Sequence, residues 1–238
     1  MTAPTVLALE TATRAGSVAV LRGTRMLDAR AGDPARPHGT RLPGDLLAAL
    51  DRSGLTLRDV DLLAVCLGPG AFTGLRVGIA SIQGLAMGAG LPVVGVSALD
   101  ALAVAAAEAS GAERIGVWID AARGEVFAAR YARDPGTVLG VAPADEPVSA
   151  KPATVVESWR AQPPGVLIGD GTIRFPLETS TLGAQVLPTP DLLAPIVARC
   201  AARLAEHGAA GRPHALRPVY VRRPDAELAR EARHAPSR

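Results

Sequence analysis

Aromatic side chains make up only 3% of this 238-residue chain. That scarcity argues against a stacking platform for single-stranded nucleic acid, which needs rings spaced along a basic groove. Histidine is also sparse: His38, His207, His214 and His234 are the whole set, and none is spaced from another His, Asp or Cys as metal ligands on a helix would be. They read as solvated loop or tail residues. Cys66 lies in an apolar run and Cys200 in a helical stretch, without metal-ligand spacing, so both read as buried free thiols. Ser17, Ser81 and Ser97 stand in no Gly-x-Ser-x-Gly elbow, which leaves a hydrolase triad without support. Lys151 is the single lysine, and the formal net charge of +2 is too small to imply nucleic-acid binding by itself. No apolar run reaches the roughly 18 residues of a membrane span. No charged and then apolar leader opens the chain, so a cytoplasmic location is expected.

What the chain does have is apolar mass. With 48% hydrophobic and 20% charged residues it can build a core for one large or two small domains. Its organising stretch runs from Leu62 to Gly90. The unbroken apolar run Leu62 to Leu67 predicts a strand buried on both faces. Gly68-Pro69-Gly70 forces a sharp turn, and Thr73 is expected to cap a helix to Ala89, closed by Gly90 and Pro92. Within that helix Ala80, Gly84 and Gly88 share one face, and Gly74 and Gly78 form a second small pair. Such faces admit close packing inside one domain or against a partner helix, and the sequence leaves both open. Arg76, a cation in the first turn, opposes the helix dipole and is expected beside an anion or carboxylate.

Ahead of this stretch, Thr5 to Leu9 reads as a strand ending at Glu10. Hydroxyl-bearing Thr11 and Thr13 follow, with a returning strand over Ser17 to Leu21. That arrangement is similar to the first phosphate hairpin of the actin-like ATPase fold, though an ordinary turn has the same composition. Met26 to Ala31 is a third strand candidate. Leu42, Leu46, Leu47 and Leu50 give a helical period over Thr40 to Ser53, and Thr56 is expected to cap a short turn after it. Val93 to Val96 forms another buried strand, and Ser97 caps an alanine-rich helix over 98–109. The order β-β-β-α-β-α-β-α predicts an α/β layer. From Gly111 the opening repeats, with strands over Ile115 to Ile119 and Glu125 to Tyr131 around an Asp120 to Gly124 turn. Val138 to Pro152 is expected to be irregular, Thr154 to Trp159 helical, and Val166 to Ile168 a strand before Gly169-Asp170-Gly171. A helix from Asp191, capped there, should run to Glu206 and be followed by an extended segment from Leu216.

Chemistry is thin. A Walker-type loop needs Lys and Ser or Thr after its last Gly, but Leu75 and Arg76 follow Gly74. A kinase-like enzyme would have only Glu10, Asp120 and the Gly169–Gly171 loop with which to hold Mg²⁺ and phosphates. A peptidase would need a metal or a nucleophile–base pair, and neither pattern is present.

Five motifs taken in order resemble the bacterial TsaB (YeaZ) family along nearly the whole chain. They are Leu7 to Thr13 with Ser17 to Val20, Gly68 to Gly78, Asp120 to Phe127, Gly169 to Gly171 and Pro218 to Arg222. The resemblance implies a two-domain actin-like ATPase fold of the sugar kinase and Hsp70 kind (ASKHA), with mixed central sheets and a reduced second domain. The implied domains are 1–109, carrying the dimerisation helices, and 110–225, followed by an Arg-rich tail at 226–238. It further implies a scaffold role in installing threonylcarbamoyl on N6 of the adenosine beside the anticodon of tRNAs that read codons beginning with A. The partners implied are the catalytic paralogue TsaD, the ATPase TsaE and, through the complex, tRNA; a homodimer is implied when TsaD is absent. No cofactor and no membrane are implied. TsaD carries a metal-binding His pair after the strand matching Val93 to Val96, where this chain has Ala98 and Leu102. The implied docking surface comprises Leu42, Leu46 and Leu50 on one helix. On the other it comprises Gly74, Arg76, Val77, Gly78, Ser81, Gly84, Leu85 and Gly88. A vestigial nucleotide site would use Glu10, Thr11, Thr13, Gly169, Asp170 and Gly171. Glu10 departs from the Asp usual in the family, and its longer side chain disfavours productive nucleotide binding. An M22-type glycopeptidase-like activity is the less favoured alternative.

Overall fold

The computed structural model describes residues 3–222, so the expected tail at 226–238 lies outside the described residues. Three strands open the chain: β1 (Thr5–Glu10), β2 (Ser17–Arg22) and β3 (Arg25–Ala31). Helix α1 (His38–Arg52) leads to β4 (Leu62–Gly68), α2 (Phe72–Ala89), β5 (Val93–Ser97) and α3 (Ala98–Ser110). The sheet order is β3-β2-β1-β4-β5, antiparallel in the opening meander and parallel where β1, β4 and β5 run side by side. Parallel strands need covered faces. Here α1 and α2 cover one face through Leu42, Leu46, Leu50, Ile79 and Ile82, and the other lies under α3 and a helix from the far end of the chain.

The second sheet begins with β6 (Arg114–Asp120) and β7 (Val126–Arg133), a hairpin as the repeat of the opening predicts. Residues 138–152 are more ordered than their prolines suggest. They supply β8 (Val141–Pro143) and β9 (Val148–Ala150), which both pair with β7. Prolines are tolerated there because short edge strands leave N–H positions unpaired. Helix α4 (Pro152–Trp159), β10 (Val166–Ile168), the short helices α5 (Asp170–Arg174) and α6 (Pro176–Ser180), and β11 (Gln185–Val186) complete this half. Its sheet runs β11-β10-β6-β7-β8.

The last helix, α7 (Ala194–Glu206), lies in the expected second domain by sequence but packs on β1, β2, β4 and β5 of the first sheet. It starts three residues beyond Asp191, with Leu193 at its cap position, so Asp191 caps nothing. Thr73 likewise is helical rather than capping, because α2 starts at Phe72. Ser97 does cap α3, its Oγ accepting from Leu99 N at 3.2 Å. Asp59 closes the turn after α1 by accepting from Thr56 N and Oγ1, each at 2.8 Å. Together α3 and α7 join the inner faces of both sheets in one core that includes Ala8, Ala64, Val96, Val117, Ile168 and Val197. Cys66 and Cys200 are buried free thiols in that core.

Candidate functional site

Two concave regions follow from this layout. The first is a cleft of about 500 Å³ between the sheets, mostly apolar, walled by Ala12, Pro69, Phe72, Ile119 and Phe127. Ala98 and Leu102 face it from α3. Its charged lining is Arg14, Asp120, Asp170, Asp191 and Arg222.

Several backbone donors at the cleft's two turns are already engaged. At the β1–β2 turn, the buried Glu10 carboxylate accepts from Thr13 N at 2.6 Å, Thr13 Oγ1 at 3.0 Å and Ser17 Oγ at 3.0 Å. Ser17 Oγ in turn accepts from Ala194 N at 3.0 Å, which ties the hairpin to the start of α7. Burial pushes the Glu10 carboxyl above its ordinary range, and these hydrogen bonds oppose that only in part. The Thr13 hydroxyl accepts from Gly16 N at 3.1 Å. Arg41, buried beneath the hairpin, donates to Ala15 O and pairs with Asp45, which anchors the turn to α1. Across the cleft, Asp170 accepts from Asp120 N at 2.8 Å, Asp120 from Ala122 N at 2.9 Å, and Thr189 from Gly169 N at 3.2 Å. Burial, with the Asp120 charge beside it, raises the Asp170 carboxyl. Gly169, at φ 112°, lets β10 run close to β6, where a Cβ would lie 2.1 Å from Trp118 O. Of the six residues expected at a nucleotide site, Thr13 and Asp170 line the cleft. Glu10 and Thr11 are buried below the hairpin, and Gly169 and Gly171 pack on Trp118.

The second concave region is a groove of about 400 Å³ between α1 and α2. Pro43, Leu46, Leu47 and Leu50 line one side, and Ala80, Ser81, Gly84 and Leu85 the other. The small residues of α2 divide between two roles. Gly74 and Gly78 are buried against the end of β1, where a Cβ on Gly74 would lie 2.4 Å from Thr11 O. A methyl group added to Gly84 or Gly88 would meet no atom within 4 Å, and both glycines lie on the exposed side. Leu42 is a core residue at 1% exposure, and Val77 is half-buried. Leu47, at 57% exposure, stands out on this groove, and Met87, at 74%, stands out farther along α2, where it borders Leu91 and Pro213. Leu47 belongs to the leucine pattern of α1 but falls off its inward stripe, a signal the periodicity already carries.

Arg76 meets aromatic rings rather than an anion. Its guanidinium lies 4.0 Å from the Phe72 ring centroid, and its Nε donates to the Tyr220 hydroxyl at 2.8 Å. The ring face and the hydroxyl lone pair supply the partial negative charge that the first-turn cation needs. His38, at the start of α1, is held below the ordinary imidazole range by partial burial and by the Arg41 charge. Among the described residues no group of three or more His, Cys, Asp and Glu side chains could hold a metal ion. No helix among them is long and apolar enough to cross a membrane.

Sequence comparison bears directly on this geometry. The tRNA threonylcarbamoyladenosine biosynthesis protein TsaB of Escherichia coli (strain K12) is 36% identical over 189 residues, covering 72% of this chain and 81% of that protein. The chain belongs to the TsaB family. Its counterpart of the same name in Haemophilus influenzae is 44% identical over 131 residues, 55% of each chain. A family model described as TsaD, tRNA N6-adenosine threonylcarbamoyltransferase, matches residues 33–180. Among solved structures, a Pseudomonas aeruginosa protein described as similar to peptidase YEAZ superposes with a TM-score of 0.77 at 32% identity. The match covers 92% of this chain and 100% of that one. The fold, two mixed sheets sharing one core, is therefore that of this family, and the family's process is tRNA threonylcarbamoyladenosine biosynthesis.

Proposed function

We propose that this chain is a non-catalytic docking subunit of the cytoplasmic machinery that makes threonylcarbamoyladenosine in tRNA, and that it presents the α1–α2 face to a TsaD paralogue. The observation that carries the reading is the contrast between the two concave regions. The α1–α2 groove is apolar and open, with exposed Leu47 on its α1 side and Gly84 on its α2 side, and Met87 and Gly88 are exposed farther along α2, so a partner helix can approach its backbone closely. The inter-sheet cleft has apolar walls, and Gly169 N, Asp120 N, Ala122 N and Thr13 N are already bonded within the chain, which leaves them unavailable to phosphates. The paralogue supplies the metal and the transfer step, TsaE joins the pair, and tRNA is engaged by the assembly. A second copy of this chain takes the same face when the paralogue is absent.

The test is co-purification with the organism's own TsaD. The wild-type chain should co-elute and Gly84→Leu should not, while the melting temperature of the free variant stays near that of the wild type. Equal co-elution by both would overturn the docking face, and threonylcarbamoyl transfer by the isolated chain would overturn the non-catalytic role.

A further inference from the structure

The segment after α7 pairs with no sheet beyond a single bridge, yet it holds hydrogen bonds on both halves of the molecule. Gly211 exchanges bonds with Val93 at the start of β5, and Gln83 on α2 donates to Pro213 O at 2.9 Å. Val219 N donates to Leu67 O, on β4, at 2.8 Å. Tyr220 then lies with its ring 5.3 Å from that of Phe72 and its hydroxyl bonded to Arg76. Two residues later the chain has reached the other sheet. Arg222 donates to Glu125 Oε2 at 3.0 Å and to Ala121 O at 3.1 Å, both in the β6–β7 turn.

These anchors flank the cleft, since Phe72, Ala121 and Arg222 all line it. The shared core of α3 and α7 also joins the sheets, and the stretch from Thr189 to Ala194 runs between them, so this segment is a further tie, placed at the Phe72 and Ala121 walls of the cleft. Tyr220 and Arg222 are at most about 7 Å apart along the chain, which leaves little slack between a shift at one anchor and a pull at the other. The far anchor is also releasable. Arg222 and Glu125 are 26% and 31% exposed, and ion pairs so open to water hold weakly.

We infer that residues 219–222 form a latch across the mouth of the cleft. Tyr220 and Arg222 are positioning residues that couple the first turn of α2 to the β6–β7 turn. Neither touches a reacting group; each sets where the other's lobe stands. Because the coupling is an equilibrium property, it acts in both directions.

Hydrogen exchange on the full-length protein tests this without any partner. Arg222→Ala should accelerate exchange about fivefold in residues 75–76, which lie outside the hydrogen bonds and ring contact of Arg222, as well as in residues 121–125. Tyr220→Phe, which removes only the hydroxyl bond to Arg76, should accelerate residues 121–125. Combining Glu125→Arg with Arg222→Glu should restore protection only in part, because the exchange regains the ion pair but leaves Ala121 O without its donor. Should Arg222→Ala not fold, Arg222→Lys, too short and undivided to reach both Glu125 and Ala121, gives the same reading. If each variant changes exchange only at its own anchor, the latch is refuted.

Discussion

Gly78 and Thr11 are so close that a methyl group placed on the glycine would lie 2.1 Å from the threonine Oγ1. The hydroxyl is buried and has no hydrogen-bond partner, which shows how tightly α2 is drawn onto the end of β1. Gly78→Ala should therefore destabilise the fold by about 1–3 kcal/mol through overpacking. Gly84, with nothing within 4 Å, should respond oppositely. Gly84→Ala should stabilise the free chain by about 0.5–1 kcal/mol, the intrinsic helix preference of alanine. Urea unfolding of the two variants gives opposite signs or refutes this division of the helix.

Replacing Leu47 or Met87 by Asp should leave unfolding free energy within about 0.5 kcal/mol of wild type, as is usual for exposed positions. Each should nevertheless weaken capture of the TsaD paralogue at least tenfold, about 1.4 kcal/mol. Titration by calorimetry measures this; unchanged affinity in both variants would place the partner elsewhere.

Glu10 should tolerate Gln and not Ala. Gln keeps an oxygen for Thr13 N, and the Thr13 and Ser17 hydroxyls can rotate to accept from its amide. Ala leaves buried donors unpaired, at about 1–3 kcal/mol for each. The pH dependence follows from the raised native pKa. Above the ordinary carboxylate range the unfolded chain has lost its proton while the native state keeps it. Stability conferred by Glu10 is thus full at low pH and falls as pH rises through the native value. Glu10→Gln should flatten that part of the curve, as read from denaturant midpoints across pH.

The buried thiols make the same argument at the alkaline end. Burial pushes Cys200 up from 9.0 to about 12, and Cys66 is also raised. Between these values the unfolded thiol ionises and the native one does not, so stability falls with rising pH. Cys200→Ala should reduce that slope by about 1.4 kcal/mol per pH unit, the equivalent of one proton. An unchanged slope would mean the thiol ionises in the native protein.

Much of the local structure is legible in the residues. Leu62 to Leu67 is continuous apolar sequence between turn formers, and β4 is the buried strand that such a run predicts. Ser97 before an alanine-rich run caps α3, and Gly90 closes α2 in the left-handed conformation. The strand–acid–turn–strand repeat at Asp120 gives the β6–β7 hairpin. The proposed docking face is only half legible. Helix α2 carries small residues on more than one side, so periodicity alone cannot say that Gly78 faces Thr11 while Gly84 faces out. The anion expected beside Arg76 is replaced by an aromatic partner, Tyr220, which lies 144 residues away and leaves no local signal.

The sequence by itself determined the longer strands, the helix stops and the motifs that place the chain in its family, because these depend on neighbours a few residues apart; the short strands β8, β9 and β11 it did not. Tertiary structure alone decided that α7 returns to the first sheet and that Glu10 is enclosed by Thr13, Ser17 and the start of α7. It alone also decided that Arg222 reaches the second lobe. An amphipathic pattern says that a helix must bury one face; which of two sheets receives it depends on contacts between residues more than a hundred positions apart, and no local pattern encodes those.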